Sequence, residues 1–279
     1  MEQWRIEQPQ SLDLTGVKRL NIRMVAGSVD VVGRPDDAAT PAGSAHLEVS
    51  ELDGPLIVTM EGDTLTITHE RLTWGGLLDW VSNRRASAVV SVAVPASCPV
   101  ELGVVSADAV VSAITAPTNV KSVSGAVTLD GVRADVNAQT VSGDLETRGL
   151  SGSLHFSTVS GDLTVVDGTS GRVRAETVSG QVTLDLDIPA NSTIEMSSVS
   201  GDLTVRLPET AGVHVNARTL SGGLHSAFDG LSTERKPGRA SMQGQVGSGD
   251  GRLNAKTVSG EVTLLRRNGG ASEASEVPA

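Results

Sequence analysis

The chain has 279 residues, 38% of them hydrophobic, enough apolar material for a core, which excludes disorder of the whole. Aromatics make up only 2%, with two Phe, three Trp and no Tyr, so any core is thin and filled by Val, Leu, Ile and Ala, as stacked strands require. The 33 acidic against 22 basic side chains give a net charge of -11, which would repel a polyanion; no nucleic-acid partner is expected.

The opening MEQWRIEQPQ has neither the basic start nor the apolar run of a signal peptide. No apolar stretch reaches the ~20 residues of a membrane-spanning helix. The expectation is a soluble, cytoplasmic chain in which residues 1–13 are an N-terminal extension.

Residues 14–99 read as a β-rich portion that caps the edge of a repeat region beginning at residue 100. Leu20, Ile22, Val29 and Val31 sit seven and five residues before Gly27 and two and four after it, a pattern that returns later in the chain. Strand-like runs at 46–50, 56–60, 65–68 and 89–94 are divided by Gly and Pro. One stretch breaks the β pattern. It places Trp74, Leu77, Leu78, Trp80 and Val81 at roughly helical spacing ahead of Arg84 and Arg85. The preferred reading is a plug over the open end of the stack, with both Trp buried. The second is a surface that docks on a partner or a membrane interface, aromatics inserted and Arg84 and Arg85 facing lipid phosphates. Cys98, the only cysteine, excludes an intramolecular disulfide and a thiolate cluster, and reads as a small packed hydrophobe beside Pro99.

From residue 100 to 265 one motif recurs. Its glycine falls at Gly125, Gly143, Gly161, Gly180, Gly201, Gly222 and Gly260, at spacings of 18, 18, 19, 21, 21 and 38, with a degenerate copy around Ala107. A period near 20 predicts a solenoid. Two residues after the glycine stand Val127, Leu145, Leu163, Val182, Leu203, Leu224 and Val262, and three after stand Thr128, Glu146, Thr164, Thr183, Thr204, His225 and Thr263. That is apolar-in, polar-out alternation. Before the glycine the inward positions are odd, at minus seven (Val136, Leu154, Val173) and minus five (Ala138, Phe156, Ala175). Val141 and its equivalents at minus two are expected to join the even, inward set, so that the phase slips within Thr-Val-Ser-Gly.

The Ser-Gly pair therefore reads as a corner taken once per coil, its glycine adopting either a positive φ or a place too crowded for a Cβ. Ser or Thr fills minus three in all seven copies, which allows a ladder of hydroxyls. The expected fold is all-β: a parallel β-solenoid of about 18–21 residues per coil, coils following one another in chain order, with two coils and a loop between Gly222 and Gly260. Residues 266–279 read as a disordered tail.

The opening from Leu20 to Val31, the passage VAVPASCPVELGVVSADA and the serial TVSGDLTV coils together resemble the bacterial DUF4097 family of adhesin-like β-strand-repeat proteins, over roughly residues 14–265. The resemblance implies a β-solenoid of unsettled biochemical role, found in cytoplasmic and membrane-anchored forms. It implies no catalytic motif and hence no active residues to carry over.

Other chemistry is weakly signalled. Asp follows the glycine in three of seven copies (Asp144, Asp162 and Asp202), too few for a calcium ladder and without the second glycine-rich loop of such rolls. Glu146, Glu176 and Glu195 are the acids a carbohydrate-cleaving β-helix would pair across a cleft, but no recurring cluster marks one. His155, His214 and His225 face outward by alternation, and the Ser-Gly pairs lack a matched His and Asp. No catalytic residue, metal or cofactor is expected. The sequence points to a non-enzymatic scaffold presenting Thr-rich faces to a protein or glycan partner. Alternatives are a membrane-peripheral module acting through residues 74–85 and a carbohydrate-active enzyme. The oligomeric state stays open.

Overall fold

In a computed structural model of the protein, which describes residues 1–35, 41–69 and 86–267, every regular element is a β-strand. The first eight are β1 (Glu2–Ile6), β2 (Gln10–Leu14), β3 (Arg19–Arg34), β4 (Ala45–Asp53), β5 (Leu56–Glu61), β6 (Thr64–His69), β7 (Ser87–Pro95) and β8 (Val100–Ser112). Short strands then come in pairs, one before and one after each corner: β9 (Thr118–Ser122) with β10 (Val127–Asp130), β11 (Val136–Thr140) with β12 (Leu145–Arg148), and β13 (Leu154–Thr158) with β14 (Leu163–Thr169). The pairs continue as β15 (Arg172–Thr177) with β16 (Val182–Asp187), β17 (Thr193–Ser197) with β18 (Leu203–Pro208), and β19 (Val213–Thr219) with β20 (Leu224–Ser226). A hairpin, β21 (Leu231–Lys236) and β22 (Arg239–Val246), precedes the last pair, β23 (Gly251–Thr257) and β24 (Val262–Arg267).

These strands form two parallel ladders that share β3 and β8, each long enough to run straight through the corner. One ladder continues from β8 through β9, β11, β13, β15 and β17. The other continues through β10, β12, β14, β16 and β18. Inward side chains from both enclose one apolar cluster, in which Leu145, Leu163, Val182, Leu203 and Val262 are all but inaccessible. Burial of each such side chain contributes about 1.5–3 kcal/mol.

Chain order and spatial order part company at the C-terminal end. The neighbour of β17 is β23, and only then comes β19; the neighbour of β18 is β24, and only then β20. The last coil is thus slotted between its two predecessors, and the 38-residue gap holds no pair of extra coils. Its residues build the β21–β22 hairpin, which pairs antiparallel along the free edge of β19. The intercalation is possible because every coil presents the same inward Val and Leu columns, so β17 receives β23 as readily as β19.

Antiparallel strands also finish the other end. β6 and β7 lie parallel to the two halves of β3, after which β5 and β1 extend one ladder and β4 and β2 the other, all antiparallel.

The corner departs from the expected phase. Val141 and its equivalents point outward, and the Ser or Thr before them is buried: Thr140, Thr158 and Thr177 are each 6% exposed, whereas Val141, Val159 and Val178 are 48%, 51% and 47% exposed. The reason is hydrogen bonding. Turning the chain leaves the glycine N–H pointing inward, where a hydroxyl can accept it and a valine cannot: Gly161 N donates to Thr158 Oγ1 at 2.9 Å, Gly180 N to Thr177 Oγ1 at 2.8 Å and Gly201 N to Ser198 Oγ at 2.6 Å. The phase change falls on the two consecutive outward residues, Val and Ser, that form the corner itself.

None of the seven corner glycines has a positive φ. A Cβ on any of them would instead overlap the carbonyl oxygen of the corner residue one coil away, such as that of Gly161 for Gly180. The coils stack too closely for a side chain there.

Candidate interaction surface

Around the corner edge the outward residues fall into columns. Val123, Val141, Val159, Val178, Val199, Val258 and Leu220 follow one another in spatial order, each 40–52% exposed. The serine next to each valine is anchored backwards: Ser142 Oγ donates to Val123 O at 3.2 Å, Ser160 Oγ to Val141 O at 3.3 Å and Ser259 Oγ to Val199 O at 3.3 Å. The residue after the glycine forms the next column. Asp144 Oδ1 accepts Asp162 N–H at 2.8 Å, Asp162 Oδ1 accepts Gln181 N–H at 2.7 Å and Asp202 Oδ1 accepts Glu261 N–H at 2.8 Å. These carboxylates are staples between coils, each holding a backbone donor that a strand turning the corner would otherwise leave unpaired.

Beyond the corner on the second ladder runs the threonine file. Thr164, Thr183, Thr204 and Thr263 are cross-strand neighbours in consecutive coils, half-buried, with Glu146 beside Thr164 and His225 beside Thr263. On the first ladder, Arg174 lies between Glu176 and Glu195, at 2.6 Å and 3.6 Å. Glu146 belongs to the opposite face, where it pairs with Arg148 at 2.7 Å. The three acids are therefore not brought together as a cleft pair, and each is engaged by an arginine. His155 is half-buried, while His214 and His225 are exposed, all on outward positions. Among the described residues no group of three or more His, Cys, Asp or Glu is gathered as metal ligands. Cys98 is buried, and that burial pushes its thiol up to about 11, which keeps it protonated and unreactive.

Trp74, Leu77, Leu78, Trp80, Arg84 and Arg85 lie outside the described residues. The described strands on either side, β6 and β7, pair with opposite halves of β3. His69, which closes β6, is buried; its Nδ1 accepts Val25 N–H at 3.2 Å, and burial lowers its pKa from 6.5 to about 4.

Two features escaped sequence reasoning. One is the apolar stripe, detectable in principle from the invariant hydroxyl at minus three, which marks that position as a hydrogen-bonding one and puts its neighbour outside. The other is the cluster of Asp185, Arg206, Asp187 and Arg267, in which buried Asp185 binds both arginines and Arg267 also binds Asp187. It ties the end of β24 back to β16 across β18, and residues 82 apart in the chain leave no local signal.

Two parallel ladders around a shared core, with one hydrogen-bonded corner per coil, define a β-solenoid. The chain belongs to the Toastrack DUF4097 family, whose pattern matches residues 17–265. No curated protein matches it. Among solved structures it is similar to a candidate adhesin from Bacteroides fragilis NCTC 9343, at 10% identity and a TM-score of 0.46, covering 93% of this chain and 98% of that one. It is also similar to a candidate lipid-binding protein from Parabacteroides distasonis ATCC 8503, at 12% identity, a TM-score of 0.42 and coverage of 93% and 97%. A third is a candidate cell-adhesion protein from Clostridium sporogenes ATCC 15579, at 12% identity, a TM-score of 0.30 and coverage of 93% and 100%. No helix among the described residues is long and apolar enough to cross a membrane.

Proposed function

We propose that the protein is a non-enzymatic scaffold that recognises an extended partner, a glycan or a polypeptide, along its threonine file. One observation carries this reading. The corner serines, which recur in every coil, and the aspartates of three coils are spent on the neighbouring coil's backbone. What remains outward is a flat file of hydroxyls about 4.8 Å apart, suited to binding by shape and short hydrogen bonds rather than to bond cleavage. The candidate adhesins among the similar structures agree with a binding role without specifying one.

The test is a glycan and peptide array probed with the full chain and with a Thr183→Lys, Thr204→Lys variant, the same ligands then being assayed for new reducing ends or new termini. Binding that the variant loses, with every ligand intact, supports the reading. Turnover of a bound ligand overturns it.

A further inference from the structure

The valine stripe at the corner has no role in the core and none in recognition along the threonine file. Its neighbours at minus four and plus one are almost all polar, and the adjoining serine hydroxyls are already committed to the coil before, so the stripe is an apolar strip with no unmet hydrogen bonds. Seven rungs at ~4.8 Å make it ~29 Å long. The ends of the stack are poor docking sites by comparison: β21 ends in Glu234, Arg235 and Lys236, and β1 carries Glu2 and Arg5, charges that discourage strand addition.

The flanks of the stripe indicate what covers it. On the minus-four side stand Lys121, Lys256 and Arg218, with Glu176 as the one acid. On the plus-one side stand Asp144, Asp162, Asp202 and Glu261, with no base. We infer that the stripe is the interface of a homodimer in which two stacks lie side by side with their coils running in the same direction, related by a two-fold axis parallel to the stack.

In that arrangement each rung faces its own copy, and the minus-four column of one chain opposes the plus-one column of the other. No like charges meet on any rung, and Lys256 meets Glu261 twice. The antiparallel alternative sets the acidic column against itself, Asp144 opposite Glu261 and Asp162 opposite Asp202, which disfavours it. A second copy is also the one partner certain to match the repeat rung for rung. The strip and its flanks cover on the order of 600 Å² per chain, near the lower limit for stable association, so the dimer dissociates on dilution. Because each chain carries a net charge of -11, dimerisation strengthens as salt screens the long-range repulsion.

The experiment is sedimentation equilibrium of the full chain over a concentration series, joined to oxidative crosslinking of three single variants, Val141→Cys, Val178→Cys and Val258→Cys; buried Cys98 does not compete. The mass should climb from 28.7 kDa toward twice that value, 57.4 kDa, and all three variants should form disulfide-linked dimers. A Val159→Lys, Val178→Lys variant with unchanged circular dichroism should stay monomeric. A monomer at every concentration overturns the proposal, as does a dimer indifferent to the two lysines. Crosslinking at Val178 alone overturns the parallel arrangement, since only the central rung is self-facing in the antiparallel one.

Discussion

The corner tetrapeptide assigns each of its residues a separate physical task. The hydroxyl at minus three accepts the glycine N–H, the valine turns outward, the serine ties the corner to the coil before, and the glycine leaves room for its neighbour's carbonyl. Replacement of Gly180 by Ala drives a Cβ into the Gly161 carbonyl and should cost about 3 kcal/mol, seen as a melting temperature roughly 6–12 °C lower at ~2–4 °C per kcal/mol. Gly171→Ala, which meets nothing within 4 Å, should melt as the wild type does. His69 supplies a pH dependence. Its folded pKa of about 4 lies below the unfolded 6.5, so from pH 6.5 down to 4 the unfolded chain takes up a proton that the folded chain refuses. The neutral imidazole's full contribution is present above pH 6.5 and is lost toward pH 4, by up to about 3 kcal/mol. Denaturant titrations of wild type and His69→Leu should differ in slope across that window; parallel profiles would contradict the assignment. The sequence disclosed the glycine and hydroxyl columns but misplaced the valine, because alternation alone cannot say on which side of a corner the phase changes.

At the scale of strands, the repeats were legible and their neighbours were not. The inward column two residues after the glycine is Val or Leu in all seven copies, so register is fixed within a coil but adjacency between coils is degenerate. The slot between β17 and β19 is filled by β23, and Arg267 on β24 clamps the inserted coil to Asp185 and Asp187. A pair of cysteines tests this directly. Glu195 and Asn254 are cross-strand partners on outward positions, so a Glu195→Cys, Asn254→Cys variant should form an internal disulfide, whereas Glu195→Cys with Asn216→Cys should not. The reverse result would restore chain order. The antiparallel strands at both ends, too, carry no 18-residue signature, since a cap is by nature unlike what it caps.

At the scale of the whole molecule, the architecture followed from period and alternation, and the family from the same residues. The candidate surface was only half legible. The threonine file was visible as a column, but the valine stripe emerged only once the corner phase was known, and residues 74–85, read from the sequence first as an end plug and second as a docking segment, lie outside the described residues. Above all, the recurrent aspartates are architectural staples rather than ligands, which leaves the outer columns free for recognition. The most direct measurement is thermal melting of wild type and Asp162→Ala in millimolar calcium and in chelator. Loss of the bond to Gln181 N–H should lower the transition by a few degrees, from about 1–2 kcal/mol, with the calcium and chelator curves superimposed for both proteins. A wild-type melting temperature that rises with calcium, and a variant that does not respond, would contradict it.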